Sequence, residues 1–168
     1  MKLFERSQRS EVRWDEAAAE LLASVSMQDA YHHMGVEVGF HYPDLTILRV
    51  RPWSERSPYP ICPEALQRAQ ACVGLRLGPG ISLLIERQAG GRRGCTHITR
   101  LILEACHAAV QGLLARRCLD EGRQGVLPSA EKVAFLEGHG LAVRGTCLAY
   151  DLEATGARPA GGDRDRRD

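Results

Sequence analysis

Lysine is almost missing from this chain: Lys2 and Lys132 are the only two, and the rest of its 22 lysines and arginines are arginines. That skew points to a GC-rich genome rather than to phosphate recognition. Charge imbalance is missing as well, since 21 acidic residues leave a formal net charge of +1. With no global field there is nothing to recruit nucleic acid or an anionic membrane surface. The N-terminal stretch MKLFERSQRSEVRWDE carries charges throughout and has no apolar h-region, which argues against a secretory signal. No apolar run approaches the length needed to span a bilayer, and no internal repeat is present. These absences predict a cytoplasmic protein with neither nucleic acid nor membrane as partner.

Thiols, by contrast, are plentiful. Six cysteines (Cys62, Cys72, Cys95, Cys106, Cys118 and Cys147) are many for 168 residues. Without an export signal they are better understood as free thiols, core residues or metal ligands than as a disulfide framework. A hydrophobic content of 44% suits one globular domain over residues 1–153 with an ordinary core. Residues 154–168, ATGARPAGGDRDRRD from Ala154 on, have almost nothing to bury and are expected to be disordered.

Periodicity predicts the elements. Residues 11–27 have one apolar face from Ala17, Ala18, Leu21, Leu22 and Val25, which predicts a first helix. Met34–Phe40 and Leu45–Val50 alternate around the turn His41–Asp44, which predicts a hairpin. Four prolines between Arg51 and Pro63 predict a stiff extended loop. It delivers Cys62 to a helix over residues 64–73 with Pro63 at its first position. Residues 81–87 fit a short strand or a short helix. The longest helical pattern follows the Gly90-Gly91 turn: Ile98, Leu101, Ile102, Ala105, Ala109 and Leu113 share one buried face. His97, Arg100, Glu104, His107 and Gln111 form a second, polar stripe. After a glycine-rich loop, Pro128-Ser129 opens a short helix, and residues 143–152 are expected to form a last strand. The fold class is therefore α+β, a small antiparallel sheet with helices packed on one face.

Chemistry concentrates at helix starts. Cys95 lies where the long helix begins, beside Arg92 and Arg93, and both features favour thiolate over thiol. His97 can converge with it only if Cys95 occupies the cap, because residues two apart on a helix face opposite sides. The same spacing also fits a small buried cysteine next to a solvated histidine. Cys62 has a parallel setting. With His97 and one of His32 and His33, the two cysteines make a plausible tetrahedral set for zinc or iron, although their spacing is no short zinc signature. Arg87, Arg92 and Arg93 near the glycine turn can hold a phosphate or carboxylate, or belong to a plain surface loop. Cys72, Cys106 and Cys118 fall on positions that predict core packing, whereas His41 and His139 sit in turns.

The phrases SPYPICPEA, CVGLRLGPG and GGRRGCTHITRLI, in that order, resemble a bacterial family of uncharacterised proteins, the domain of unknown function numbered 2889. The resemblance runs roughly from Gln28 to Gly112. It implies motif residues His32, Cys62, Cys95, Thr96, His97 and Gln111. It also marks three departures: His33 in place of aspartate, Arg100 in place of glutamate, and Leu148 after Cys147 in place of histidine. The layout of a hairpin, a cysteine opening a helix, and a second helix headed by Cys and His looks like iron–sulfur scaffold proteins of the IscU and NifU type. That likeness implies a metal held by Cys62, Cys95, His97 and His32. Two rival readings stay open. One is an enzyme with Cys95 as nucleophile and His97 or His107 as base, acting on a small-molecule or acyl substrate such as a thioester. The other is an interaction module whose site has decayed.

Overall fold

The structure is a computed structural model that describes residues 1–124, 126–154 and 156. Four strands, β1 (Arg6–Asp15), β2 (Glu20–Asp29), β3 (His33–His41) and β4 (Ile47–Arg56), form an antiparallel meander in the order β1-β2-β3-β4. A 3-10 helix (Cys62–Cys72), α1 (Ile81–Ala89), a single 3-10 turn (Gly91–Arg93), α2 (Thr96–Asp120) and α3 (Ser129–Gly138) follow. A 3-10 turn over Leu148–Tyr150 comes last. The expected α+β class is what the chain adopts. The expected disordered tail lies almost entirely outside the described residues.

The expected first helix is instead the β1–β2 hairpin. Leu21, Ala23, Val25 and Met27 are all buried, so the pattern that matters has a period of two. Ala17 and Ala18, counted as part of a helical face, are in fact the exposed hairpin turn. Their N–H groups both donate to Asp15 Oδ1 at 3.1 Å, and Ala19 closes the turn at φ 52°. The second hairpin forms where alternation placed it, with Leu21 opposite Phe40, Ala23 opposite Val38 and Val25 opposite Val36. The proline-rich stretch is shorter as a loop than expected, because β4 continues through Pro52 to Arg56. β4 is an edge strand, where a missing N–H is tolerated. Residues 81–87, which fitted either element, are helical. No strand forms over residues 143–152. Thr146 donates to the Val143 carbonyl and Gly145 to the Tyr150 carbonyl, so local turns absorb this backbone.

One face of the sheet carries the core. Ile98, Leu101, Ile102, Ala105, Ala109 and Leu113 of α2 are buried over β1, β2 and β3, together with Met34, Val36, Val38 and Phe40. Gly112 lets the helix sit close, since a Cβ there would come within 2.6 Å of Val12. Among the described residues α2 is the one helix long and apolar enough to cross a membrane. That departs from the expectation that no run would qualify. Its apolar stripe, however, is occupied by the sheet. The other sheet face is bare of helices. Trp53 lies flat over Gly35, and the buried Glu20 pairs with Arg49 over Gly39.

Phe40 is fully buried at the centre of this core. Phe40→Ala is expected to cost about 3–5 kcal/mol in urea unfolding. Leu119→Ala, at an exposed position, is expected to stay within about 0.5 kcal/mol.

Candidate thiol–imidazole site at the start of α2

Antiparallel pairing puts the start of β1, the end of β2, the start of β3 and the end of β4 at one end of the sheet. α2 begins at this end, where His97 meets His32 of the β2–β3 connection, and the start of the 3-10 helix shares a cleft with the start of α2. The organising group at this end of the sheet is Asp29, whose side chain is fully buried. Its Oδ1 accepts the N–H groups of Tyr31 at 2.7 Å and His32 at 2.8 Å. Its Oδ2 accepts Arg6 Nε at 2.9 Å and Nη2 at 2.6 Å. Burial alone would raise the Asp29 pKa. The bonds from Tyr31, Arg6 and His32 outweigh it and hold the carboxyl well below the usual range.

His32 Nδ1 lies 3.1 Å from Asp29 Oδ1. An ionised carboxylate only accepts, so Nδ1 carries the proton and Nε2 is left with its lone pair when the ring is neutral. The His32 ring packs on His97, with centroids 4.2 Å apart. His97 is half-buried, and its pKa is lowered by burial first and then by His32 and Arg6, with Asp29 opposing and Arg100 adding slightly. The shift favours the neutral ring. His33 points away, to Glu55 at 2.8 Å and edge-on to Trp53.

Cys95 does occupy the cap of α2, with extended backbone (φ −132°, ψ 122°). Its carbonyl accepts both the N–H and the hydroxyl of Thr99, at 3.0 and 2.9 Å. Its own N–H donates to the Ala89 carbonyl at 3.0 Å. Gly94 makes this close turn possible, because a Cβ there would stand 2.1 Å from the Ala89 oxygen. Cys62, also half-buried, heads the 3-10 helix with Pro63 behind it. Both cysteines line one cleft of about 560 Å³ together with Glu64, Arg68, Arg92 and Arg93. All six cysteines are free thiols. Burial pushes Cys72 up to about 11 and Cys106 up to about 12, so those two are inert core residues, as their positions predicted.

The structure thus packs His32 on His97 and sets Cys62 and Cys95 in the lining of one cleft. Among the described residues no group of three or more His, Cys, Asp or Glu side chains is gathered as a ready-made metal site. The rest of the polar stripe is elsewhere. Glu104 accepts the Ser10 hydroxyl at 3.0 Å, and His107 borders a separate small apolar pocket with Leu77 and Val143. Gln111 lies 14 residues beyond His97, about 21 Å along the helix. Sequence reasoning missed Asp29, Arg6 and Arg68. Arg6 preceded, and Asp29 followed, a stretch taken for helix, so their pairing across β1 and β2 had no visible basis. The available signal was Asp29 itself, an Asx-type turn former just ahead of a strand.

A protein family described as "Protein of unknown function (DUF2889)" matches residues 10–111, more than half of the chain. The chain belongs to this family. The match runs from β1 to Gln111 and includes Asp29, His32, Cys62, Cys95 and His97. No curated protein and no solved structure matches the chain.

Two outcomes follow from this geometry. Asp29 is more acidic folded than unfolded, so its stabilisation is complete above the unfolded carboxyl pKa and is lost as pH falls toward the folded value. Unfolding free energy is expected to drop between about pH 5 and pH 2, and Asp29→Asn to be less stable at pH 7 by an amount of order 2 kcal/mol with a flatter acid limb. Gly94→Ala is expected to displace the α1–α2 connection, seen as chemical-shift changes at Cys95, Thr96 and His97 that spare β1 to β4.

Proposed function

We propose that this DUF2889 domain binds a transition metal, zinc or iron, at the start of α2, through His32, His97, Cys95 and Cys62. The observation that carries the reading is the buried Asp29–His32 pair packed against the His97 ring, whose pKa burial lowers. A carboxylate fixing one ring nitrogen of a histidine is the usual outer shell of a metal-bound imidazole, orienting the ring and raising its basicity. Neutral imidazole and thiolate are the forms that ligate, and thiols select softer metals such as zinc and iron. The histidine contact and the cysteine cleft both involve the start of α2, and metal binding would draw the four side chains onto one ion. The IscU-type layout belongs to this proposal as an analogy of plan and adds no residue beyond these four.

Protein purified without a polyhistidine tag is expected to contain about one equivalent of zinc or iron by elemental analysis. Cys95→Ser and His97→Ala should each weaken metal affinity by about tenfold or more, and Asp29→Asn by about 10–100-fold through His32. Stoichiometry near zero that Cys95→Ser leaves unchanged would sink the reading.

A second reading is favoured by one specific feature, the placement of Cys95 in an extended cap at the mouth of the cleft. There a neutral His97 would take the Cys95 thiol proton, the thiolate would add to a thioester carbonyl, and the expelled substrate thiolate would take that proton from His97. Water would then hydrolyse the acyl-enzyme. His107 is removed as the base, because it borders a different pocket. Thiol labelling across pH separates the two. Labelling of Cys95 that accelerates when a chelator is added favours the metal, and fast labelling indifferent to chelator favours the nucleophile.

A further inference from the structure

We infer that the Cys62–Cys95 cleft recognises an organic oxyanion, a carboxylate or a phosphate ester, gripped by Arg68, Arg92 and Arg93. Three guanidinium groups line this cavity of about 560 Å³ against a single carboxylate, Glu64. None of the three arginines has an ion pair or a side-chain hydrogen bond among the described residues. Several arginines elsewhere are matched: Arg6 to Asp29, Arg49 to Glu20, Arg117 and Arg123 to Glu131, Arg144 to Glu137. Arg68 Nε is buried with no acceptor, as is Arg49 Nε, and of the two only Arg68 lines the cleft. A buried N–H left without an acceptor is costly, and an oxyanion paired with the half-buried Arg68 guanidinium would offset that cost.

The chemistry of the donors narrows the ligand. Guanidinium is a planar fork of donors that fits the paired oxygens of carboxylate or phosphate. The N-terminal turn of α2, which follows the cleft residue Cys95, has no side-chain cap. The cleft also has an apolar wall, Ile61 and Ala65, and Ile61 is 63% exposed. A bare inorganic ion leaves that wall wet, whereas an oxyanion with a carbon chain covers it. Bound this way, the ligand lies over both thiols. Arg92 and Arg93 were visible beside the glycine turn in the sequence. Arg68 comes from the 3-10 helix, and only the fold brings it to them. The inference goes beyond the metal reading and does not need it, since no arginine of the cleft is a proposed metal ligand.

The test is ligand protection of the full-length chain from N-ethylmaleimide, run throughout with a chelator present so that no metal takes part. Hexanoate and inorganic phosphate are the two probes, and labelling is followed residue by residue. The expected result is saturable slowing at Cys62 and Cys95, with the exposed Cys147 labelled at an unchanged rate. The half-protecting concentration should rise about tenfold in Arg92→Ala/Arg93→Ala, whose side chains are exposed and do not hold the fold. Arg68→Lys should weaken protection less than Arg68→Ala. Protection by hexanoate where phosphate is inert assigns an organic carboxylate, and the reverse assigns a phosphate ester. Absence of protection by either probe up to about 10 mM overturns the inference. So does equal slowing at Cys147, or protection that the arginine variants leave unchanged.

Discussion

A single buried carboxylate holds one end of the sheet together. Asp29 is the last residue of β2, and its oxygens take bonds from Arg6 on β1 and from the backbone that leads into β3. Its own carbonyl accepts Arg56 from the end of β4 at 2.8 Å. Three strands therefore converge on one residue, and His32 is oriented by the same group. An ionised carboxylate can be buried in this way only when nearly all of its lone pairs are engaged. Once that condition is met, the His32 ring has little freedom, and His97 meets it in a fixed place.

The other half of the site depends on close backbone approach. α1 ends at Ala89, and α2 must begin within a few residues while turning back over the sheet. The Ala89 carbonyl receives the Cys95 N–H, and Gly94 passes so near that carbonyl that any side chain would collide with it. The result is a cysteine in the cap, outside the helix proper. Cys95 therefore opens on the cleft while His97, on the first turn, packs on His32, and the cap position alone does not bring the two side chains together. Packing finishes the arrangement. The buried stripe of α2 sets its rotation over the sheet, and Gly112 sets its distance. Because the core is close-packed, the head of the helix is positioned by contacts well down its length.

The legible part of the fold was the part with a clean local signal. The β3–β4 hairpin, the rigid approach to Cys62 and the long helix with its buried stripe all follow from alternation, proline and 3.6-residue spacing. Residues 11–27 failed for a physical reason. Ala17-Ala18 and Leu21-Leu22 mimic a helical face, but the two alanines form an Asx-supported turn, and burial from residue 21 on alternates strictly. With that stretch taken as helix, Arg6 and Asp29 could not be seen as neighbours in register, and the hub of the site was hidden. Residues 143–152 failed because β-branched and aromatic content is no guarantee of a partner strand. Cys62, Cys95 and His97 could be picked out because helix starts can be read from glycine and proline. Their relation to Asp29 and Arg68 is tertiary, and local patterns carry no trace of it.

The central claim is that the start of α2 gathers thiols and imidazoles onto one metal ion. X-ray absorption at the metal edge of the zinc-loaded chain tests this most directly. The claim predicts one four-coordinate centre with sulfur at about 2.3 Å and nitrogen at about 2.0–2.1 Å, two of each. A shell built only of nitrogen and oxygen, with no sulfur scattering, would contradict it.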